Sequence, residues 1–232
     1  MCKAYTLTVD SAQLAAAFDA DPPASWQPHY NVWPGELMPV ITMQAPGGFG
    51  FFYWGATPGW LKNRSVSSKI INTPAERVMT RPVYKRALAR HRCLVPADGF
   101  YAWKTFARKR QIPYRYTLAD GSVFAFAGLW EEFDTLEDEI VHTFSIITIP
   151  ANELFAAAGS DMPVILTGRQ QQLWLDPASS EQVLEQMLTT LPAKAMHGYP
   201  VSPEIQRAGA NHPGLIKHVP PADQHGHYML FE

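Results

Sequence analysis

Cys2 is the residue with the most distinctive chemical potential in this sequence. Methionine aminopeptidases remove Met1 when the next side chain is small, which would leave a thiol and a free α-amine on one residue. These groups titrate at about pH 8.5 and about pH 8, so both are partly reactive at neutral pH. Together they can convert an aldehyde into a thiazolidine ring, or act as an N-terminal nucleophile. A cysteine at position 2 is nevertheless more often incidental.

Other catalytic motifs are missing from the chain. The eight histidines form no His-Glu-x-x-His motif, and the two cysteines form no Cys-x-x-Cys pair. There is also no Gly-x-Ser-x-Gly nucleophile motif and no glycine-rich phosphate loop. We therefore expect no metal and no cofactor, and we interpret the pair His225 and His227 as part of a solvated tail.

Basic residues are concentrated in one part of the chain. Residues 62–115 contain fourteen lysines and arginines but only two acids, a net charge of +12, whereas the whole chain carries −2. Such a block can bind a polyanion, because Lys and Arg neutralise phosphates and release counterions. The alternative is that the block folds against the acidic residues 116–232, so that the charges cancel in space.

The elements that must position these residues follow from periodicity and turn residues. Asp10-Ser11 can cap a helix over 12–18, and Pro82 can begin a second helix that ends near 89, with Thr80 as its cap. Strands are predicted over 50–54, 93–96 and 100–104, the last two around an Asp98-Gly99 turn. The pattern also predicts a hairpin of 114–118 with 123–130, strands over 142–149 and 164–166, and helices over 170–175 and 181–191. Strands in the centre with helices at both ends favour an α+β fold.

Composition limits the class of protein further. The charged fraction is 17% and the aromatic fraction 12%, which excludes a disordered chain. No apolar run is long enough for a membrane span, and the N-terminus does not resemble a signal peptide. Two cysteines cannot form a disulfide framework. We expect a cytoplasmic protein that makes no membrane contact, and the sequence carries no signal for an oligomeric state.

Several separated segments together resemble the SRAP family (SOS response-associated peptidase), which senses abasic sites in DNA. The resemblance extends from Cys2 to about Val219, and its specificity lies in the order and spacing of the segments. The segments are Met1-Cys2, residues 30–35 (YNVWPG), 54–60 (WGATPGW), Ile71-Asn72 with Glu76, 93–104 (CLVPADGFYAWK), 162–166 (MPVIL) and 200–202 (PVS).

The resemblance implies one domain over residues 1–232, an α+β fold with a mostly antiparallel, β-barrel-like core and peripheral helices. It implies binding to single-stranded DNA, or to junctions of single and double strands, that contain abasic sites. Cys2, once Met1 is removed, would form a thiazolidine crosslink with the ring-opened aldehyde and so protect the lesion. In a bacterium the protein would associate with the nucleoid. The family is also described as autoproteolytic, because its members remove their own initiator methionine.

Individual roles are implied in the same way. Asn72 would hold the sugar-derived chain through its amide, while Asn31, Pro34 and Trp60 would line the DNA groove. Arg81 would lie near a phosphate-contacting arginine, and Lys85 belongs to the same basic segment. The catalytic residues implied by the resemblance are therefore Cys2 and Asn72, and the DNA-binding residues are Asn31, Pro34, Trp60, Arg77, Arg81 and Lys85.

The chain departs from the family at four places. Lys3-Ala4 replaces Gly-Arg, and Asn72-Thr73-Pro74 replaces Asn-Ala-Arg, so Arg77 is the candidate substitute for the missing arginine. Ala102 replaces a glutamate and Gly159 replaces a histidine, which are the groups expected to transfer protons. Side chains near these positions that could compensate are Asp161, Ser160 and Glu76.

Three functions therefore compete at this level. The first is a crosslinker that reacts more slowly than its relatives, because losing an acid–base group typically costs about 10²–10⁴-fold in rate. The second is a divergent DNA-binding protein without efficient covalent chemistry. The third is an N-terminal-cysteine peptidase, which needs a base near Cys2. Whether the chain is an enzyme stays open between them.

Overall fold

A closed ring of five strands forms the centre of the protein. The computed structural model describes residues 3–55, 71–106, 110–134, 140–207 and 209–228. The strands are β1 (Ala4–Leu7), β2 (His29–Val32), β3 (Leu37–Thr42), β4 (Ala45–Trp54), β5 (Asn72–Pro74), β6 (Arg92–Ala97), β7 (Gly99–Phe106), β8 (Arg110–Leu118), β9 (Phe124–Asp134), β10 (Ile140–Pro150), β11 (Asp161–Pro163), β12 (Ile165–Leu166) and β13 (Met196–Pro200). The ring has the strand order β10–β4–β3–β6–β9 and closes because β9 also pairs with β10. A second sheet has five strands in the order β13–β8–β7–β1–β2.

Helices lie around these sheets. They are α1 (Ser11–Phe18), α2 (Ala75–Thr80), α3 (Pro82–Arg90), α4 (Arg169–Leu175) and α5 (Glu181–Met187), with short 3-10 helices at Ala193–Ala195, Pro203–Gln206 and Pro213–Ile216. The predicted α+β fold with a barrel-like, mostly antiparallel core is therefore confirmed. The exceptions to antiparallel pairing are β4 and β5, which run parallel to β10.

The barrel strands send alternate side chains into two buried clusters. One cluster packs the barrel against α1, α2, α3, α4 and α5. The other, which we call the inter-sheet cluster, packs the barrel against the five-stranded sheet. Its aromatic members are Tyr5, Phe52, Trp54, Phe100, Tyr116, Phe124, Phe126, Phe144 and Phe155. Burial of apolar surface on this scale is the main favourable contribution to folding.

The predicted helix after Asp10 is confirmed, with a capping box. The Asp10 side chain accepts a hydrogen bond from Gln13 N, and the Gln13 side chain accepts one from Asp10 N. The cap proposed for α3 is wrong, because Thr80 is the last residue of α2 and its hydroxyl donates to Glu76 O. Arg81 occupies the N-cap position of α3 instead.

Two predicted strand connections are also wrong. The strands on either side of Asp98-Gly99 do not pair, since β6 belongs to the barrel and β7 to the five-stranded sheet. Likewise, β8 and β9 lie in different sheets rather than in one hairpin. The chain passes between the sheets at both places, so these turns form corners.

A buried ion pair fixes the first of these corners. The Arg115 guanidinium lies 3.1 Å from the Asp98 carboxylate, and both side chains are 8% exposed. Asp98 also accepts hydrogen bonds from the Thr6 hydroxyl at 2.6 Å and from Thr8 N at 2.9 Å. Arg115 donates to the Tyr199 hydroxyl at 2.9 Å. The network therefore joins β1, β8 and β13 to the corner.

Replacing Gly99 by alanine should destabilise the protein by about 1–3 kcal/mol. A Cβ atom at this position would lie 2.7 Å from Arg115 Nε, and the buried hydrogen bonds of Arg115 prevent that side chain from moving aside. Urea unfolding would measure the change. Gly47→Ala is a matched control, since nothing lies within 4 Å of a Cβ there. Equal stability of the two variants would contradict the prediction.

Candidate functional site

Asn72 is held at the rim of the inter-sheet cluster by its backbone neighbours. It begins β5, opposite Ile146 of β10. The preceding carbonyl, Ile71 O, accepts hydrogen bonds from the Trp54 indole at 2.9 Å and from Ile146 N at 3.1 Å. Ile71 itself packs against the inter-sheet cluster, and Asn72 is partly exposed. The amide is thus attached to a rigid part of the barrel.

The segment that carries Ala102 borders the same cluster. Ala102 is a member of the inter-sheet cluster and is 2% exposed. It lies on β7 opposite Tyr114 of β8, while its neighbour Tyr101 pairs with Ala4 of β1. β1 begins at Ala4 and runs antiparallel to β7. Cys2, which precedes Ala4 by two residues, lies outside the described residues.

The turn that carries Gly159 is the third element at this cluster. Asn152 accepts a hydrogen bond from Phe155 N, and Phe155 O accepts one from Gly159 N at 3.2 Å. Phe155 is a buried member of the inter-sheet cluster, and Ala158 packs against it. The structure therefore brings the segments of Asn72, Ala102 and Gly159 to one cluster.

The compensating side chains lie in different surroundings. The Ser160 hydroxyl donates to the Asp161 carboxylate, directly after Gly159. Asp161 begins β11, opposite Pro150 of β10. Asn72 and Asp161 lie across opposite edges of β10, because Thr148 of this strand pairs both with Pro74 and with Pro163. Glu76 is exposed in the first turn of α2.

The Asn31 side chain is buried and forms hydrogen bonds within the protein. It is 5% exposed, donates to Ile205 O at 2.9 Å and accepts from the Trp33 indole at 2.9 Å. Asn31 thereby orients Trp33, whose ring lies 6.2 Å from that of Trp103. Pro34 follows in the turn after β2 and is partly exposed. A direct contact of Asn31 or Pro34 with DNA stays a prediction, and Trp60 lies outside the described residues.

The turn after β2 also contains a carboxylate with a shifted pKa. Glu36 accepts a hydrogen bond from Trp33 N at 2.9 Å. Burial raises the pKa of the Glu36 carboxyl, and the hydrogen bond from Trp33 opposes that shift. The raised pKa is thus a desolvation effect of the turn.

The basic block divides into structural and surface residues. Arg92 and Arg115 are buried, and Arg92 donates to the carbonyls of Leu88, Trp174 and Asp176, so it joins α3 to α4. Lys62, Arg64, Lys69, Arg108 and Lys109 lie outside the described residues. The exposed bases on α2 and α3 are Arg77, Arg81, Lys85, Arg86 and Arg90.

Only part of this surface charge is neutralised. Lys85 pairs with Glu181 of α5 at 2.6 Å, which agrees with charge cancellation by the acidic C-terminal half. Among the described residues, no carboxylate lies within 4.0 Å of Arg77, Arg81, Arg86 or Arg90. These four arginines form a cationic surface along α2 and α3, which we call the arginine face.

Cys93, the second cysteine, cannot act as a nucleophile in the folded protein. It is fully buried on β6, and its Sγ lies where a Cβ on Gly128 would approach to 2.8 Å. Burial raises the pKa of its thiol far above the usual range. The protein therefore protects one of its two thiols completely.

The described ranges contain no group of three His, Cys, Asp or Glu side chains that could hold a metal ion. They also contain no helix with the length and apolar character needed to cross a bilayer.

Sequence reasoning missed one polar side chain near Ala102. Lys104 lies two residues further along β7, and its Nζ is 4.1 Å from the centre of the Tyr114 ring. Strand alternation was the signal that could have found it, because residues two apart point to the same face of a strand.

Comparisons with known proteins identify the family of this chain. The family model described as SOS response associated peptidase (SRAP) matches residues 1–208. Abasic site processing protein YoqW of Bacillus subtilis is 34% identical over 222 residues, which cover 94% of this chain and 99% of YoqW. Abasic site processing protein HMCES of Rattus norvegicus is 25% identical over 242 residues, which cover 87% of this chain and 67% of HMCES.

A solved structure shares the fold. A crystal structure of a protein from Bacteroides thetaiotaomicron superimposes with a TM-score of 0.83 and 22% identity, covering 94% of this chain and 100% of that one. At this level of identity the likeness concerns the fold alone.

Proposed function

Because this chain belongs to the SOS response associated peptidase (SRAP) family, we propose that it recognises abasic sites in single-stranded DNA and captures them covalently through Cys2. The observation that carries the proposal is the convergence of three segments on the inter-sheet cluster. Those segments carry Asn72, Ala102 and Gly159, and β1, which begins at Ala4, pairs with the strand that carries Ala102. The relatives named as abasic site processing proteins support the substrate. This activity would take place in the cytoplasm and, in a bacterium, at the nucleoid.

The capture reaction needs only the groups of Cys2 once Met1 is removed. The α-amine attacks C1′ of the ring-opened sugar, and loss of the aldehyde oxygen as water gives an imine. The thiolate then attacks the imine carbon, and the nitrogen takes up a proton as the thiazolidine ring closes. Asn72 would hydrogen-bond the hydroxyl groups of the sugar-derived chain. No cofactor enters these steps.

Proton transfer would be assigned to Asp161 before the other candidates. Asp161 lies two residues after Gly159, next to the cluster, and its carboxylate accepts a hydrogen bond from the Ser160 hydroxyl. Glu76 is less well placed, because it is exposed on α2. Ala102 and Gly159 have no group that can transfer a proton.

One assay tests the proposal directly. Intact mass first shows whether Met1 is absent from the purified protein. The protein is then incubated with a single strand that carries one abasic site, and a denaturing gel is run after heating. A heat-stable adduct is expected with the natural lesion. None is expected with a tetrahydrofuran analogue, which has no aldehyde, or with Cys2→Ala.

The alternatives predict other outcomes of the same assay. Binding without an adduct, from protein with a free Cys2, would identify a DNA-binding relative that has lost covalent chemistry. Cleavage of an added peptide that depends on Cys2 would favour the peptidase. Neither result is compatible with covalent capture as the main activity.

Removing charge from the arginine face should weaken DNA binding and reduce its salt dependence. If Arg77 and Arg81 each contact a phosphate, the double variant Arg77→Ala/Arg81→Ala should reduce the slope of log K against log salt by about 1.4 on single-stranded DNA. Arg169→Ala/Arg207→Ala is the control, since it changes the net charge equally on residues outside the arginine face. Fluorescence anisotropy at several salt concentrations measures both. Identical slopes would show that DNA binds elsewhere.

Replacing Asn72 by alanine should slow adduct formation about tenfold, the value of roughly one hydrogen bond. Affinity for undamaged DNA should stay nearly unchanged, because Asn72 would contact only the opened sugar. Single-turnover gels and anisotropy measure the two quantities separately. An equal loss of both would mean that Asn72 serves DNA binding or folding instead.

A further inference from the structure

A cleft of about 740 Å³ lies between α3 and the end of β9. Its α3 wall carries Val83, Arg86 and Arg90, whose spacing of three and four residues places them on one face of the helix. Ala87 and Ala89 also line the cleft, and their short side chains leave room in it. The volume falls in the range of about 300–1,000 Å³ that is typical of sites for small molecules.

Opposite charges line the two walls of this cleft without meeting. On the β9 wall Glu131 is partly buried, and within the described ranges its carboxylate has no hydrogen bond and no cation within 4.0 Å. Arg86 and Arg90 on the α3 wall have no carboxylate within that distance over the same ranges. Glu132 differs, because its carboxylate lies 3.3 Å from His142 Nε2. The ligand that fits these walls offers an anion to the arginines and hydrogen-bond donors to Glu131.

A fixed ring lines the same cleft. His91 follows α3 directly, and its imidazole stacks on the Trp130 indole with 4.5 Å between ring centres and 25° between ring planes. Trp130 N also donates to His91 O at 2.9 Å, so the backbone supports the stack. Side chains of this kind stack on unpaired nucleobases. The cleft therefore combines cations for a phosphate, a ring for the face of a base and a carboxylate for its edge.

The cleft also borders the strand that carries Asn72. A smaller cavity shares Ala87 and Glu131 with the cleft as lining residues and extends to Thr73 of β5. Thr73 directly follows Asn72. Both arginines of the cleft belong to the arginine face. A DNA strand held by that face would therefore have its nucleotides next to the cleft.

We propose that this cleft binds one nucleotide of the single strand and prefers guanine, with the phosphate on Arg86 and Arg90 and the edge of the base on Glu131. The inference rests on the proposed function for the presence of DNA, but it requires no abasic site. The Watson–Crick edge of an unpaired base is free to bind protein. Guanine alone presents two adjacent N–H groups there, N1–H and N2–H, which match the two oxygens of a carboxylate. Thymine presents one N–H between two carbonyl oxygens, which a carboxylate repels.

The base preference can be measured on undamaged DNA. Fluorescence anisotropy of the full-length protein compares a twelve-nucleotide strand of dT with one of alternating dT and dG. A bidentate contact discriminates between bases by about fivefold or more. Because a guanine occupies the cleft in half of the binding registers, we expect the alternating strand to bind about threefold more tightly.

Matched variants assign the preference to the cleft. Glu131→Gln should reduce the ratio of the two affinities to about one or below, because the new amide can donate to a thymine carbonyl. Retained affinity for the dT strand shows that this variant is folded. Glu185→Gln makes the same change of charge on an exposed residue of α5 and should leave the ratio unchanged. Arg86→Ala/Arg90→Ala should weaken binding of both strands about tenfold, through the loss of two phosphate contacts.

The two proposals can fail separately. Equal affinities for the two strands in the unmodified protein would overturn the guanine site and leave covalent capture by Cys2 intact. A guanine preference that persists in Glu131→Gln, or unchanged binding in the double arginine variant, would do the same. A preference that depends on Glu131, in protein whose free Cys2 forms no adduct, would support the guanine site while refuting covalent capture.

Discussion

Replacing Ala102 by glutamate should accelerate adduct formation by about 10²-fold or more, the usual contribution of a positioned acid–base group. Ala102 belongs to the inter-sheet cluster and follows Tyr101, which pairs with Ala4 of β1, so a carboxyl group there would occupy the position at which the resemblance expects a glutamate. The rate is measured by quenching single-turnover reactions with an abasic single strand and quantifying the adduct on denaturing gels.

Ala102→Gln is the matched control for this gain. Glutamine has nearly the same volume as glutamate and perturbs the buried position similarly, but it cannot transfer a proton. Urea unfolding of both variants shows what the larger side chain costs in stability. Equal rates for the two variants would mean that proton transfer does not limit capture.

Replacing Asp98 by alanine should destabilise the protein by about 3–5 kcal/mol. The variant would leave the Arg115 guanidinium buried without its carboxylate and would remove the acceptor of Thr6 and Thr8. The loss is large because an unpaired charge in the interior cannot recover its hydration. Chemical unfolding, followed by intrinsic fluorescence, measures the change.

Glu181→Ala is the comparison for this variant. It breaks the ion pair with Lys85, in which both side chains are about half exposed (44% and 57%). Surface pairs of this kind contribute about 0–1 kcal/mol. If the two variants lost the same stability, the Asp98 network would contribute no more to the free energy of unfolding than a surface ion pair does.

Local features of the fold could be read from the sequence, whereas the assignment of strands to sheets could not. The helix after Asp10 follows from a capping box within four residues. The separation of β8 from β9 depends on pairing with β13 and β6, which are distant in the chain. The short helix α2 was missed because no side chain caps it and Pro74 precedes it.

The same distinction between local and tertiary features applies to the candidate site. The resemblance identified Asn72, Ala102 and Gly159, and the fold brings their segments to one cluster through Ile71, Ala102 and Phe155. Charge counting could not separate the buried Arg92 and Arg115 from the arginines of α2 and α3, since burial depends on the tertiary fold.

The burial of Cys93 also has a consequence for oxidation. Its sulfur is enclosed between β6 and β9, so an internal disulfide could form only if the barrel opened at these strands. Disulfide exchange also requires a thiolate, and burial keeps this thiol protonated. Oxidants and mixed disulfides from solution therefore cannot inactivate the protein by joining its two cysteines while the fold is intact. Any redox control of Cys2 would have to come from another molecule.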